Sequence, residues 1–255
     1  MSIVWQKTIG GSHYEVRSAG RTRRLYTNGV FHSQYHPDRP LAGGIWDLLW
    51  LPALFRPPGR VRRILLLGVG GGAAIHALHR HVRPGEIVGV ELNPVHLQVA
   101  RRFFGVTDNL ARLVQGDAVR WLQAYHGPRF DMIIDDLFGE ENGEPVRAVP
   151  ADGGWCRTLL RHLDPNGMLV MNHMGNHELD AGACRATAPL ARRFASVYRL
   201  SLPAYENVIG VFLRNEGSRR VFNANLASLL VDVKKKTGLQ LRRVTGTGPA
   251  GNRQA

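Results

Sequence analysis

The sequence has few cysteines and no long apolar run. Cys156 and Cys184 are the only two cysteines among 255 residues, which is too few for a disulfide scaffold and without metal-ligand spacing. The N-terminal segment lacks the apolar core of a signal peptide. The most apolar stretch, 43–55, is interrupted by Asp47 and Pro52 and is too short to span a bilayer. We therefore expect a soluble, cytoplasmic protein with reduced cysteines and no membrane partner.

Acidic residues are also scarce, and this leaves the chain strongly basic. The sequence has 33 Lys and Arg against 20 Asp and Glu, a formal net charge of +13. Such a surplus favours anionic neighbours and says nothing about the fold. The basic segments 60–63, 234–236 and 242–243 support one alternative hypothesis, a nucleic-acid methyltransferase. No RNA-binding motif accompanies them, so nucleic acid is the less favoured partner.

The chain divides at a basic, proline-rich linker. Residues 1–58 are predicted to form a small N-terminal β-rich domain with one helix, in which Asn28-Gly29 is a hairpin signal. Residues 59–216 are predicted to form the catalytic domain. Residues 217–255 are predicted to form a basic segment, with an amphipathic helix over 223–236 and a disordered tail.

Short apolar runs alternate with helix-length segments through the central domain. The runs do not alternate with period two, which is typical of strands buried on both faces of a parallel sheet. They are 64–67, 87–90, 113–115, 132–134 and 168–171. Two further strand-like segments, 196–202 and 208–214, flank a turn. The pattern predicts an α/β fold with a doubly wound, mostly parallel sheet and a C-terminal antiparallel hairpin.

A glycine-rich turn, GVGGG, joins the first of these strands to a helix that begins near Ala73. Glycine allows a ligand to approach the backbone, and the start of a helix offers unpaired N–H donors. We therefore predict that Gly68, Gly70 and Gly72 bind a cofactor. A tight turn that binds nothing is the alternative, because this motif on its own is weak evidence.

Acidic residues follow the next two strands, where an adenosine-sized ligand would meet them. Glu91 lies 19 positions after Gly72 and can accept hydrogen bonds from both ribose hydroxyls. Asp117 and Ala118 follow the third strand, at the position where this fold meets the adenine. Asp117 can also cap the helix that begins at Ala118. The loose glycine spacing disfavours NAD, so we predict a sulfonium nucleoside as the cofactor.

An acidic segment follows the fourth strand, and no Lys or Arg lies between Arg129 and Arg147. It holds six of the 20 acidic residues: Asp131, Asp135, Asp136, Glu140, Glu141 and Glu144. Its field would attract a cationic acceptor and suit a sulfonium, and a carboxylate can take the proton of an acceptor amine. We predict Asp135 as the catalytic base and Asp136 as a second catalytic contact. A solvated acidic loop is the alternative, chiefly for the three glutamates.

Seven segments of the chain, taken in order, match the pattern of one known family. They are RRLYTNGVFHSQYHPDRP, ILLLGVGGGAAIHAL, GVELNPVHLQVARRFFGV, LVQGDAVRWL, FDMIIDDLFGE, LDPNGMLVMN and LPAYENVIGVFL. Together they resemble the spermidine synthase-like branch of the class I S-adenosylmethionine-dependent methyltransferase superfamily. The resemblance covers most of residues 12–214 and implies a small N-terminal β-domain before the class I sheet.

The resemblance also implies roles for individual residues. The glycine turn would hold S-adenosylmethionine or its decarboxylated form, Glu91 its ribose and Asp117 its adenine. Asp135 would be the catalytic carboxylate beside the acceptor amine, and Gln34 falls near a glutamine that precedes the sheet in the family. A homodimer is a further expectation from the family.

The sequence departs from the aminopropyltransferase pattern at three places. The aspartate inside the glycine loop is replaced by Gly71, and a Tyr-His-Glu segment is replaced by residues 44–47. The paired aspartates, three apart after the fourth strand, are replaced by Asp135-Asp136-Leu137-Phe138. These departures keep methyl transfer open beside aminopropyl transfer. The loss of the loop aspartate at Gly71 predicts that intact S-adenosylmethionine binds at least as tightly as the decarboxylated form.

Three residues outside these motifs complete the predicted site. Gln34, Asn172 at the end of the fifth strand and Tyr205 in the final turn are predicted to bind the substrate. His173 and His177 are four residues apart, but a glycine between them predicts a loop and a third ligand is lacking, so no metal is expected. The sequence thus predicts a transferase that alkylates a small, cationic amine. A non-catalytic nucleoside-binding module is the remaining alternative.

Overall fold

The computed structural model describes residues 1–39, 41–141, 143–229 and 238–245. The N-terminal region is an antiparallel meander in which each strand pairs with the next. Its strands are β1 (Ser2–Ile9), β2 (Ser12–Ala19), β3 (Thr22–Thr27) and β4 (Val30–Tyr35). Asn28 and Gly29, between β3 and β4, have φ angles of 50° and 83°, the values that a two-residue type I′ turn requires. The predicted hairpin is confirmed.

A buried helical segment connects this meander to the rest of the chain. It comprises α1 (Ile45–Trp50) and a 3₁₀ turn (Leu51–Phe55). Pro52 lies in the first turn of the 3₁₀ segment, where its missing N–H costs no hydrogen bond. Both parts pack into the core beneath the large sheet. The segment that precedes the predicted boundary at residue 58 is therefore part of the same core as the large sheet.

The large sheet, as far as the structure describes it, contains eight strands in the order β14-β12-β13-β11-β8-β5-β6-β7. The strands after the meander are β5 (Arg63–Leu67), β6 (Glu86–Glu91), β7 (Arg112–Gln115), β8 (Phe130–Asp135), β9 (Phe138–Glu141), β10 (Glu144–Arg147), β11 (Leu163–His173), β12 (Ser196–Ser201), β13 (Val208–Leu213) and β14 (Gln240–Val244). Neighbours among β7, β6, β5, β8 and β11 pair in parallel, whereas β13, β12 and β14 add antiparallel strands. This is the predicted class I methyltransferase architecture.

Two features of the strand arrangement were not predicted. β9 and β10 pair with each other and form a separate antiparallel hairpin where the sequence suggested an acidic loop. β14 extends the sheet beyond the final predicted hairpin.

Helices cover both faces of the sheet. They are α2 (Ala73–Ala77), α3 (Pro94–Arg102), α4 (Ala118–Ala124), α5 (Gly153–His162), α6 (Asn176–Ala181), α7 (Ala183–Ala186), α8 (Ala188–Ala191) and α9 (Arg219–Leu229). A short π-helical turn, Leu78–Val82, extends α2. The predicted helix over 223–236 corresponds to α9 up to Leu229. Its remainder, including 234–236, and the tail after 245 lie outside the described residues.

The core has two layers, one on each face of the sheet. Ile64 and Leu66 face the layer that contains α1 and α2, whereas Leu65 and Leu67 face the layer that contains α5. All four residues are at most 1% exposed. Burial on both faces explains why these strands read as continuous apolar runs.

The two cysteines form a disulfide, contrary to the prediction that they are reduced. Cys156 on α5 and Cys184 on α7 are bonded, with their Cα atoms 5.7 Å apart. Both lie in the second core layer, where α5 packs against α7. Their separation of 28 positions in sequence concealed this proximity. The cysteine content therefore no longer supports the expected cytoplasmic location. Among the described residues, no helix is long and apolar enough to cross a membrane.

Candidate active site

A cleft of about 670 Å³ opens at the carboxyl ends of the parallel strands. Its floor is formed by residues at or just after the ends of β5, β6, β7, β8 and β11, and its cover by the β3–β4 turn and the β9–β10 hairpin. Doubly wound sheets bind ligands at this edge, and the volume is typical of a small-molecule site.

The glycine turn after β5 forms one wall of the cleft. Gly68 and Gly70 line it, with φ angles of 83° and 53°. A Cβ atom on Gly68 would lie 2.2 Å from the carbonyl oxygen of Asp136, so only glycine fits there. Gly72, with a φ of 79°, precedes α2 and packs against Val106 behind the turn. It does not line the cleft, so its predicted cofactor role is at most indirect.

Glu91 braces this turn from the end of β6. Its Oε2 atom accepts hydrogen bonds from the backbone N–H groups of Val69 and Gly70, each at 2.9 Å. Its Oε1 atom accepts one from the N–H of Asn93 at 2.9 Å. The side chain is 8% exposed and lines the cleft. Binding of ribose by Glu91 stays a prediction, and the carboxylate has a second task that the sequence did not reveal.

Asp117 and Ala118 lie side by side at the end of β7 and line the same part of the cleft. Asp117 Oδ1 accepts a hydrogen bond from the N–H of Arg120 at 2.8 Å, which confirms that Asp117 caps α4. The residue is exposed, so its other oxygen can meet a ligand. Capping and adenine contact are therefore compatible, as expected.

Two histidines that the sequence reasoning missed line the cleft beside the turn. His32 on β4 and His96 on α3 have ring centroids 5.0 Å apart. Burial lowers the pKa of each to about 4, so both rings are neutral at neutral pH. His96 Nε2 lies 2.8 Å from Thr27 Oγ1, whereas His32 Nε2 is buried without a hydrogen-bond partner. Because β4 and α3 are far apart in sequence, no local motif predicted this pair.

Asp136 and Asn172 meet at the other end of the cleft. Asp136 follows β8, and Asn172 lies near the end of β11. Asn172 Nδ2 donates a hydrogen bond to Asp136 Oδ1 at 2.8 Å. Asn207 Nδ2 in turn donates to Asn172 Oδ1 at 3.1 Å. Burial raises the pKa of Asp136 to about 6, with a smaller contribution from the adjacent carboxylate of Asp135. Such a group can exchange a proton near neutral pH.

Asp135 does not reach the cleft, which contradicts its predicted role as the base. Its side chain is fully buried. Oδ2 accepts hydrogen bonds from Arg147 Nη2 and Trp155 Nε1, both at 2.8 Å. Because successive side chains leave a strand on opposite faces, the neighbouring Asp136 is the carboxylate that lines the cleft.

Gln34 also lies outside the cleft, contrary to the prediction that it binds substrate. Its Oε1 accepts from Arg24 Nε at 2.6 Å and its Nε2 donates to the carbonyl of Ala42 at 3.1 Å. Gln34 lies two residues beyond His32, the last residue of β4 that lines the cleft, and both polar atoms of its side-chain amide already have hydrogen-bond partners. Tyr205 does line the cleft, together with Trp46, so this part of the wall is aromatic.

Gly71 points away from the cleft. A Cβ atom there would lie 2.7 Å from the ring of Phe104, which is 3% exposed in the core. An aspartate at this position would therefore collide with packed side chains before it reached a ligand. The loop aspartate of the aminopropyltransferase pattern is thus absent at a position where the ring of Phe104 fills the space that its side chain would need.

The cleft is acidic although the protein is basic. Among the described residues, the ionised groups that line it are carboxylates: Glu91, Asp117, Asp136 and Glu140. No Lys or Arg of the described chain lines it, and both histidines are neutral. Its field therefore attracts cations and repels polyanions.

The histidines predicted not to bind metal are separated. His173 is fully buried in β11 with both ring nitrogens unpaired, while His177 is exposed on α6. The described residues contain no group of three potential metal ligands.

The family model of the spermine/spermidine synthase domain matches residues 48–223. Polyamine aminopropyltransferase 2 of Caldanaerobacter subterraneus subsp. tengcongensis is 29% identical over 106 residues, which cover 40% of this chain and 35% of that protein. The polyamine aminopropyltransferase of Vibrio vulnificus is 25% identical over 190 residues, 73% of this chain and 56% of that protein. The chain thus spans between about a third and just over half of the length of these relatives.

A solved structure shares the whole architecture. The structure of a probable spermidine synthase from Corynebacterium glutamicum superposes with a TM-score of 0.74 at 19% identity, over 95% of this chain and 91% of that one. This likeness establishes the fold, including the N-terminal β-region.

Proposed function

The chain belongs to the spermine/spermidine synthase domain family, and on that basis we propose that it is a transferase that moves an alkyl group from a sulfonium nucleoside to an amine. The observation that carries the proposal is the charge of the cleft, because its ionised residues are carboxylates in a protein of net charge +13. Both reactants would be cations, and such a cleft raises their local concentration.

The residues of one half of the cleft fit a nucleoside. Gly68 and Gly70 keep the wall free of side chains, and Glu91 and Asp117 present carboxylate oxygens at the ends of neighbouring strands. We assign Glu91 to the ribose hydroxyls and Asp117, with Ala118, to the adenine. When bound, S-adenosylmethionine or its decarboxylated form supplies a carbon activated by the sulfonium for displacement.

The other half fits an amine. Asp136 is assigned as the base in place of Asp135, because its carboxylate lines the cleft and has a pKa of about 6. An acceptor amine is mostly protonated at neutral pH and must lose its proton before it can attack. Asp136 would hold the ammonium group and accept that proton, while Asn172 orients the carboxylate. Trp46 and Tyr205 would pack against the body of the acceptor.

Two observations bear on the identity of the transferred group, and they favour different groups. The relatives named above are called aminopropyltransferases, which supports aminopropyl transfer from decarboxylated S-adenosylmethionine to an amine of the polyamine class. Gly71 supports a second candidate, methyl transfer, because no carboxylate at that position selects the decarboxylated cofactor. On this second candidate, intact S-adenosylmethionine binds at least as tightly.

The alternatives fit the site less well. A nucleic acid would bring its phosphates towards the carboxylates of the cleft, which opposes binding. A non-catalytic module would have no use for a partly buried carboxylate whose pKa lies near 6, at a free-energy cost to the fold.

The test is a direct assay with both donors. The purified protein is incubated separately with S-adenosylmethionine and the decarboxylated form, each with putrescine, spermidine and monoamines of matched length. Products are identified by mass spectrometry, and the Asp136→Asn variant is the control. Amine alkylation that depends on Asp136 supports the proposal. Binding of both donors without any alkylated amine would overturn it in favour of the non-catalytic module.

A further inference from the structure

An arginine behind the cleft connects the parts of the acceptor half. Arg147 ends β10, and its side chain is only 4% exposed. It does not line the cleft. A buried guanidinium requires a partner for its charge and for its five N–H donors, and two polar partners of Arg147, Asn172 and Val149, line the cleft.

The guanidinium binds groups from three directions. Nη2 donates to Asp135 Oδ2 at 2.8 Å, and Nη1 donates to the backbone carbonyl of Asn172. Nε lies 3.2 Å from the carbonyl oxygen of Val149 and 3.3 Å from Glu178 Oε1 on α6. One side chain thus joins the ends of β8 and β11, the hairpin that covers the cleft, and the helix beyond it.

These contacts bear directly on Asp136 and Asn172. Asp136 follows Asp135 in the chain, and the carbonyl that Arg147 holds belongs to the same residue whose amide binds Asp136. Movement of the guanidinium would therefore shift both partners. The positive charge of Arg147 also favours ionisation of Asp136, against the effect of the adjacent carboxylate of Asp135.

We propose that Arg147 is the positioning residue of the acceptor half: it fixes the Asp136–Asn172 pair and supplies the positive charge that offsets Asp135 beside it. This inference rests on the proposed function, since the proposed function assigns Asp136 as the base that Arg147 positions. It explains why adjacent aspartates serve different purposes, with Asp135 as the counterion of Arg147 and Asp136 as the group that meets the acceptor.

The charges around Asp136 predict opposite effects for two substitutions. Asp135 on β8 and Glu91 on β6 disfavour ionisation of Asp136, whereas Arg147 on β10 favours it and Asn172 on β11 donates to the ionised form. Glu178 faces Arg147 from α6, and His173, whose pKa burial lowers to about 3, is neutral. Removal of the Arg147 charge must raise the pKa of Asp136, and removal of the Asp135 charge must lower it.

The experiment compares Arg147→Gln, Asp135→Asn and the double variant. The titration of Asp136 is followed by carbon-13 NMR of labelled aspartate carboxyls, assigned with Asp136→Asn, and by the acid limb of turnover against pH. We expect the midpoint near 6 to rise by roughly one pH unit in Arg147→Gln and to fall in Asp135→Asn. The double variant should return close to the wild-type midpoint, because both charges are removed together.

Kinetics separate positioning from a purely structural role. Arg147→Lys retains the charge but loses the fork, so its midpoint should stay near that of the wild type while kcat falls roughly tenfold to hundredfold. KM for the nucleoside donor should not change. Arg185→Gln is the control, since the Arg185 side chain is only 9% exposed, pairs with Asp180 at 2.6 Å and does not line the cleft. It should lower the melting temperature without moving the midpoint.

The outcomes are distinguishable. An Asp136 midpoint that is the same in wild type, Arg147→Gln and Asp135→Asn would overturn the inference, and Arg147 would then be a structural residue only. If Arg147→Gln does not fold, Asp135→Asn and Arg147→Lys still decide the matter. The NMR titration needs no turnover, so absence of alkyl transfer would refute the proposed function and leave the role of Arg147 open to confirmation by its own measurement.

Discussion

The carboxylates in the two halves of the cleft differ in their hydrogen-bond donors and in their neighbouring charges. In the nucleoside half, Glu91 accepts three backbone N–H groups and Asp117 accepts one. In the acceptor half, Asp136 accepts one hydrogen bond from Asn172 and sits beside the carboxylate of Asp135. Backbone donors stabilise an anion in a fixed geometry, whereas desolvation beside a like charge favours proton uptake.

This difference separates binding from chemistry. A carboxylate held in a fixed geometry by the backbone is suited to accept hydrogen bonds from ribose hydroxyls. A partly buried carboxylate that can take a proton near neutral pH is suited to a base. The first two of the four predictions below test whether the two halves can be disabled independently, and the other two test the packing of the glycine turn and the titration of Asp136.

The largest effect is expected for Asp136→Asn. The amide cannot accept the proton of the acceptor, so turnover should fall by about a hundredfold or more, while affinity for the nucleoside donor changes little. Steady-state kinetics and calorimetric titration measure the two quantities. A collapse of donor affinity with unchanged turnover at saturation would contradict the division of the cleft.

Glu91→Ala should disable the other half. Loss of hydrogen bonds to a charged acceptor should weaken binding of methylthioadenosine by about 1–3 kcal/mol, roughly fivefold to 150-fold. Glu91→Gln keeps one acceptor oxygen and should lose less. Calorimetry on the folded variants decides, and an unchanged affinity for Glu91→Ala would show that the carboxylate only braces the glycine turn.

A third prediction asks whether packing or a ligand dictates the glycine turn. Gly71→Ala should lower the free energy of unfolding by about 1–3 kcal/mol, because its Cβ meets the buried ring of Phe104. Gly116→Ala is the control, since a Cβ there meets nothing within 4 Å, and its stability should stay within about 0.5 kcal/mol of the wild type. Urea denaturation measures both. Equal stabilities would mean that Phe104 moves aside and that the loop tolerates a side chain.

The smallest effect concerns the stability cost of the base. The pKa of Asp136 is about 6 in the fold, against 3.8 for an unperturbed aspartate side chain, so the folded state disfavours the ionised form. The cost is complete above pH 6 and disappears as pH falls towards 4. At pH 8, Asp136→Asn should therefore be more stable than wild type by about 1–2 kcal/mol. Denaturation at pH 8 and pH 4.5 checks this, and a gap that is the same at both would contradict the titration.

Most of the fold and half of the site followed from local patterns. The apolar runs, the glycine turn and the cap at Asp117 depend on neighbours in the chain, so periodicity and capping rules predicted them. The acceptor half brings together the ends of β8 and β11, the β9–β10 hairpin and the turn after β12. Contacts such as Asn172 with Asp136, 36 residues apart, leave no local signature.

The adjacent aspartates show where prediction by sequence ended. Local sequence was enough to establish that carboxylates follow β8, that glycines follow β5 and that an acidic residue ends β6. Tertiary packing alone decided that Asp135 faces Arg147 and Trp155 while Asp136 faces the cleft, that Gln34 is paired elsewhere, and that Cys156 meets Cys184. The physical reason is that a strand presents successive side chains to opposite faces, and which face becomes core or cleft depends on the distant elements that pack against it.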